Sequence, residues 1–212
     1  MRLDAKSGAL LPDAHLYDLD LEADYWSVHQ YWLMCRDPLL FPGKQALPHD
    51  MTIEEVDPTA DFAKQMYWEV GGPWIWGDRR AYSQQQWLDY TALPGFRQFK
   101  LCLKDGTLAG YAETSFDPDS GQAELEYFGL LPHAVGMKAG PAFLSQIIGK
   151  LWDANCSRIR ISTCTLDHPG AFRVYSRCGF VRLSSHAISV PNALKARIIS
   201  PQEIQIRTKL LR

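Results

Sequence analysis

The strongest constraint on this chain is a change of apolar period in its second half. From Gly140 the apolar positions Phe143, Leu144, Ile147, Ile148, Leu151 and Trp152 recur at i, i+3, i+4, i+7 spacing, which defines one face of a helix. Pro141 is tolerated because the first helical turn has no intrahelical use for its missing N–H. The segment Arg158–Thr165 then alternates with period two, as a half-buried strand does. A strand before this helix must lie parallel to the strand after it, because the helix is long enough for a crossover and too long for a hairpin.

The strand before it closes a meander. Phe99–Leu103, a Lys-Asp-Gly turn and Leu108–Thr114 form a hairpin, Asp117–Gly121 is a second turn, and Ala123–Leu131 is a third strand. Upstream, Met51–Val56 has strand character, and Asp57–Pro58 reads as an N-cap with proline at the first helical position. That helix runs to about Glu69, and Gly71-Gly72-Pro73 ends it, leaving Trp74-Ile75-Trp76 in a loop. Ser83 caps a short helix that stops before Pro94-Gly95. Downstream, a helix over Gly170–Arg177 precedes two terminal strands, Phe180–Leu183 and Ala187–Val190. The expected fold is α/β, a mixed and mostly antiparallel central sheet flanked by helices. The main domain covers 51–212, with 1–50 an N-terminal extension packed on it. The spacing of Tyr25-Trp26 and Tyr31-Trp32 suits a helix face in that extension.

A length of 212 residues suits one domain. With 22 Lys and Arg against 24 Asp and Glu, the chain has no positive field to gather DNA or RNA. No apolar run approaches the roughly 20 residues needed to cross a bilayer, so no membrane partner is expected. Asp4 and Pro12-Asp13 interrupt any apolar signal segment, and five cysteines without a C-x-x-C pair suit reduced thiols, so the expected compartment is the cytoplasm. Cys164 with His168 and Asp167 invites comparison with a thiol hydrolase, yet a strand residue and a loop residue beyond its end need not face each other. His133, His168 and Cys164 lack the short ligand spacing of a zinc site, so no metal is expected.

The stretch Leu166-Asp167-His168-Pro169-Gly170-Ala171-Phe172-Arg173-Val174-Tyr175-Ser176-Arg177-Cys178-Gly179-Phe180 resembles the Asn-x-x-Ala-x-x-x-Tyr-x-x-x-Gly-Phe signature of the GNAT superfamily of N-acetyltransferases, with His168 where Asn is usual. The resemblance covers Met51 to Val190 and is strongest from Ala109 to Leu183. Tyr127–Pro132 and Thr163–Pro169 are similar to an uncharacterised bacterial branch of that superfamily. The implied reaction is acetyl transfer from acetyl-CoA, as co-substrate, to a primary amine by direct attack. The acceptor is a small-molecule amine or a protein amine, and the terminal strands or the extension are candidates for a homodimer interface. The alternative is a catalytically inactive GNAT-like protein that binds acyl-CoA as a sensor or interaction partner.

The resemblance also assigns residues. Val135-Gly136-Met137-Lys138-Ala139-Gly140 occupies the place of the pyrophosphate loop, where the amides opening a helix and its dipole meet the anion. The family has Arg or Gln at the first position and Gly at the central one, where this chain has Val135 and Lys138. A side chain at the central site blocks close approach or demands a strained dihedral, while a lysine also offers a cation. Phe128, Gly129 and Leu130 fill the place where the strand before the loop diverges and exposes backbone groups to the thioester. Gly129 there suits a bulge or simply relieves packing. Tyr175 takes the place of the general acid for the thiolate, with His168 and Phe172 beside the donor. His168 equally suits a helix cap. The base candidates are Glu124 and Glu113, and period-two alternation puts Glu124, Glu126 and Phe128 on one face with Leu125, Tyr127 and Gly129 on the other. Trp74 and Trp76 are candidates for the acceptor wall or for a seal against the N-terminal extension.

Overall fold

The computed structural model describes residues 2–3, 10–11 and 19–211. Among them Arg2–Leu3 (β1) and Leu10–Leu11 (β2) form a two-stranded antiparallel ladder. The other strands are Tyr25–Cys35 (β3), Thr52–Val56 (β4), Arg97–Cys102 (β5), Leu108–Asp117 (β6), Gln122–Leu130 (β7), Arg158–Cys164 (β8) and Val181–Pro191 (β9). They make one sheet in the order β4-β5-β6-β7-β8-β3-β9. Only β7 and β8 run parallel; the other neighbours are antiparallel. The α-helices are Ala60–Gly71 (α1), Gln84–Thr91 (α2), Ala139–Asp153 (α3), Ala171–Arg177 (α4) and Pro201–Leu210 (α5).

The meander and the β7–α3–β8 unit follow the sequence pattern. The apolar face of α3 buries Phe143, Leu144, Ile147 and Ile148 against Phe99, Leu101 and Leu125 of the sheet. On the opposite face α1 and α2 bury Tyr67, Val70, Trp87 and Tyr90 against Tyr111 and Tyr127. α2 begins in a capping box, with the Ser83 hydroxyl accepting from the Gln86 amide and the Gln86 side chain accepting from the Ser83 amide. α1 starts later than expected. Its N-cap is Thr59, whose hydroxyl accepts from the Phe62 amide at 3.3 Å, so Asp57-Pro58 lies before the helix.

The N-terminal residues depart from expectation. Asp4, Pro12 and Asp13 lie outside the described residues. Tyr25–Cys35 is not a helix face but strand β3, set inside the sheet between β8 and β9. Its aromatic pairs served two sides of a strand: Tyr31 packs into the α3-side core, while Trp26 joins a separate cluster with Val28, Ile75, Ala193 and Ile199. The two expected terminal strands are one, β9, paired to β3 along its length with a register shift between Trp32 and Leu33. After it Pro201–Leu210 forms α5, which Ser200 and Glu203 start with a second capping box.

Candidate active site

The parallel pairing of β7 and β8 covers only Gln122–Glu124 with Arg158–Arg160. Past Glu124 the two strands separate, so Phe128, Gly129 and Leu130 keep β6 on one side and have no strand on the other. A cleft of about 940 Å³ opens there. One end is walled by Val135, Gly136, Lys138 and Gly140, the middle by Phe128, Leu130, Val174 and Tyr175, and the far side by Trp74, Trp76, Asp78, Arg79, Glu124 and Glu126.

The separation has a local cause. In the β6–β7 ladder Glu113 faces Tyr127 and Thr114 faces Leu125, which makes Glu126 the extra residue of a β-bulge. The bulge breaks the expected alternation. Leu125 lies in the α3-side core and Tyr127 in the α1–α2 core, while Phe128 packs on Phe143 at 5.1 Å. Gly129, which suited a bulge, lies past it and serves close packing, since a Cβ there would sit 2.4 Å from Val70 Cγ1.

At the loop end, α3 begins with Lys138 in the left-handed conformation at φ 60°. The strained dihedral expected of a side chain at this position is therefore present. Among the described residues, no hydrogen bond within the chain engages the amides of Gly136, Lys138, Ala139 or Gly140. Four free donors at a helix start are what a pyrophosphate requires. The side chains of Ala139 and Met137 turn to the α3-side core, so at those positions only the main chain is available to a ligand.

Tyr175 stands on the cleft wall with its ring edge-on to Phe128 (6.5 Å) and Phe180 (6.2 Å). Burial, and then Asp167 and Cys164, push its phenol well above the ordinary tyrosine range, so it is protonated at neutral pH. Phe172 instead is a core residue, edge-on to Tyr31 at 5.4 Å. His168 borders the cleft, but its Nδ1 accepts from the Gly170 amide at 2.9 Å and its ring meets Trp74 at 5.2 Å. It thus serves the turn into α4, and burial lowers its pKa.

The candidate carboxylates part company. Glu113 does not border the cleft. It is buried behind α2, accepting from Tyr90 Oη (2.9 Å) and Gln98 Nε2 (3.1 Å), and burial pushes its pKa up to about 7. Glu124 does border the cleft. Arg160 directs both Nε (3.1 Å) and Nη2 (2.7 Å) to Oε2, and Oε1 has no hydrogen-bond partner among the described residues. Burial outweighs Arg160 and raises the Glu124 pKa. For the thiol-hydrolase comparison, burial pushes Cys164 up to about 12, which keeps it a thiol, and Asp167 is spent on Trp76 Nε1, Thr163 Oγ1 and the Cys164 amide. No cluster of metal-ligating side chains exists among the described residues.

Sequence reasoning missed the side chains that build the far wall. Asp78 accepts from Tyr67 Oη (3.0 Å) and from Tyr127 Oη. Arg79 lies over the Tyr90 ring at 3.9 Å and the Tyr127 ring at 4.7 Å, and pairs with Glu126 at 3.6 Å. Arg80 donates to the carbonyls of Trp76 (2.5 Å), Ile198 (2.9 Å) and Gly72 (3.4 Å) and pairs with Glu203 of α5 at 2.9 Å. Between these anchors Ile75, a β-branched residue, is held at φ 64°. Trp76 folds back over Gly71, where a Cβ would lie 2.1 Å from its ring. The aromatic density of 67–90 was the available signal, without a pattern to give each partner.

The model of the Acetyltransferase (GNAT) family matches residues 61–180, and the chain belongs to that family. Its fold is similar to that of a GCN5-related N-acetyltransferase from Sphaerobacter thermophilus (TM-score 0.57, 16% identity, 78% of this chain and 52% of that one). It is also similar to a functionally unknown conserved protein from Staphylococcus epidermidis ATCC 12228 (0.56, 15%, 79% and 63%) and a GCN5-related N-acetyltransferase-like protein from Streptococcus suis 89/1591 (0.50, 11%, 81% and 64%). The chain therefore spans between half and two thirds of the length of these neighbours. No curated protein sequence matches it.

Proposed function

We propose that the protein transfers an acetyl group from acetyl-CoA to a primary amine inside the cleft. The observation that carries this reading is the Tyr175 phenol on the wall of the gap between β7 and β8, with no hydrogen bond from the chain to its hydroxyl among the described residues. Acetyl-CoA supplies an activated thioester and a pyrophosphate. The amides of Gly136, Lys138, Ala139 and Gly140, with the Lys138 ammonium, would hold the pyrophosphate, and the open edge of β7 at Phe128–Leu130 would hold the extended arm.

Glu124 takes the ammonium proton through its free Oε1, directly or through a water, and its raised pKa favours that role near neutral pH. The amine nitrogen bonds to the carbonyl carbon, the carbon–sulfur bond breaks, Tyr175 gives its proton to the departing sulfur, and the second proton that the nitrogen sheds on becoming an amide returns to Tyr175 through water, leaving the first on Glu124 to pass to solvent. Five unpaired cysteines support a reducing, cytoplasmic setting. No helix among the described residues is long and apolar enough to cross a membrane.

The test is Tyr175→Phe. It keeps the ring between Phe128 and Phe180 and removes the hydroxyl, so kcat with a competent amine falls by roughly 10²-fold or more while the calorimetric Kd for CoA stays within about twofold. An undiminished kcat removes Tyr175 from the mechanism. A wild-type protein that binds acetyl-CoA and acetylates no amine in a broad panel leaves a binding protein instead.

A further inference from the structure

The cleft extends beyond the gap between β7 and β8. Beyond β8 it continues across the sheet onto β3 and β9. The ladder pairs Trp32 with Ser162, Val28 with Ile188 and Trp26 with Val190, so Trp26, Val28, Gln30 and Trp32 form a row on one face of β3, with Ile188 and Val190 beside them. All six border the cleft, Trp26 and Val28 only by an edge, since both are buried in the cluster with Ile75 and Ala193, so the open lining is Gln30, Trp32, Ile188 and Val190. Trp74 and Ile75 close the arm from the other side, and Ala193, Ile198 and Leu210 of the C-terminal segment also border it. Its single amide is Gln30; the ionisable groups beside it are His168, whose ring meets Trp74 at 5.2 Å, Cys164, which lies opposite Gln30 in the ladder, and Asp167, which accepts from Trp76, Thr163 and the Cys164 amide. Where the arm meets the gap between β7 and β8, the bordering side chains change to Asp78, Glu124 and Glu126, with Arg79 the cation among them.

We propose that the acceptor is a cationic primary amine carried on an aromatic or branched apolar body. The body lies in the arm made by β3, β9 and the C-terminal segment, and the ammonium lies at the Asp78–Glu124–Glu126 carboxylates. This rests on the N-acetyltransferase reading and names its substrate class. Three competitors fit the lining less well. A polyamine needs free carboxylates along the arm, and the carboxylate beside it, Asp167, is taken by Trp76, Thr163 and the Cys164 amide. An amino acid needs a free cation for its carboxylate, and the Arg79 guanidinium is engaged by Glu126 and two tyrosine rings. A long acyl chain on the donor suits the apolar lining, but it would carry the apolar body past carboxylates that are best matched by an ammonium.

The experiment measures kcat/KM with acetyl-CoA for ethylamine, 2-phenylethylamine, a branched alkylamine, spermidine, glycine amide, glycine and a lysine-containing peptide. The same series is repeated with acyl donors from acetyl to hexanoyl. Binding of 2-phenylethylamine in the presence of CoA is followed separately by calorimetry, which needs no turnover. The expected result is kcat/KM at least about 30-fold higher for 2-phenylethylamine or the branched amine than for ethylamine, with acetyl the best donor. Ile188→Trp, at a position 43% exposed and so tolerant of a larger ring, should compress that preference at least about tenfold.

A flat series, or a preference for spermidine, an amino acid or the peptide, overturns the proposal while leaving acetyl transfer intact. A rate that rises with acyl length rather than with the acceptor body assigns the arm to the donor and overturns it too. Absence of turnover with every amine is failure of the enzymatic reading. In that case 2-phenylethylamine binding, lost in Ile188→Trp, still supports the arm, and absence of binding sinks it.

Discussion

The two ends of the cleft are built in opposite ways. At the Val135–Gly140 end the groups offered to the cleft are main-chain amides at a helix start, and no side chain of the loop makes a hydrogen bond among the described residues. At the Gly71–Arg80 end nearly every polar side chain is tied to a distant segment: Trp76 to Asp167, Asp78 to Tyr127, Arg80 to Ile198 and Glu203. A main-chain site depends on loop length and on where the helix begins, so with Val135 and Lys138 in place of the pattern residues the amides still stand unengaged at the helix start. A side-chain site depends on partners up to 123 residues apart in sequence, and it moves as a unit or not at all.

Arg80→Ala tests that difference most severely. The substitution leaves the carbonyls of Trp76 and Ile198 without their side-chain donor, that of Gly72 with the Ile75 amide alone, Glu203 Oε1 without its cation and the Trp68 face without the guanidinium at 4.5 Å. Breaking a largely buried, hydrogen-bonded pair costs about 4 kcal/mol. Urea unfolding should show that loss with an unchanged slope, and KM for the amine should rise while the Kd for CoA holds. A loss below about 1 kcal/mol would mean that the far wall is held by apolar packing alone, and the contrast between the ends would fall.

The same contrast explains what was legible in the sequence. The meander, α3 and β8 rest on local periodicity and turn residues, so their order was readable from residues 97–165. The place of Tyr175 on the cleft wall was readable because its helix carries a family spacing. β3 was not, because Tyr25-Trp26 and Tyr31-Trp32 serve opposite sides of a strand whose neighbours, β8 and β9, lie more than 120 residues away in sequence. The reversal of faces at Glu126 was equally hidden, since a bulge has no signature in a run such as Glu-Leu-Glu-Tyr-Phe. Glu113 and Glu124 look alike in sequence, and only the packing of α2 over one and not the other separates them.

Glu113 gives a test through pH. Its pKa is about 7 in the folded chain against an ordinary value of 4.5, so folding favours the protonated acid. That contribution is complete below about pH 4.5 and is lost as pH rises to about 7, after which it stays lost. Relative to Glu113→Gln, which cannot ionise, the wild type should lose roughly 3 kcal/mol of stability across that window. Denaturant midpoints measured at half-unit pH steps decide it. A constant difference between the two proteins would show that water or Arg79 solvates the carboxylate, making the acceptor side less closed than its bonding suggests.

Lys138 carries the smallest effect and bears on the other end. At φ 60° an L-residue costs about 1 kcal/mol more than glycine, and the larger entropy of a glycine in the unfolded chain takes part of that back. Lys138→Gly should therefore raise stability by no more than about 1 kcal/mol, while Lys138→Ala keeps the strained dihedral and gains nothing. Donor binding separates the roles of the side chain. With its ammonium near the pyrophosphate, both variants should bind CoA up to about tenfold more weakly at low salt, with the deficit vanishing near 1 M salt. That result would mean that a side chain has joined the amides at the main-chain end, which softens the contrast. If Lys138→Gly instead binds CoA more tightly than the wild type at every salt concentration, the lysine only obstructs, and the amides of Gly136–Gly140 carry donor recognition by themselves.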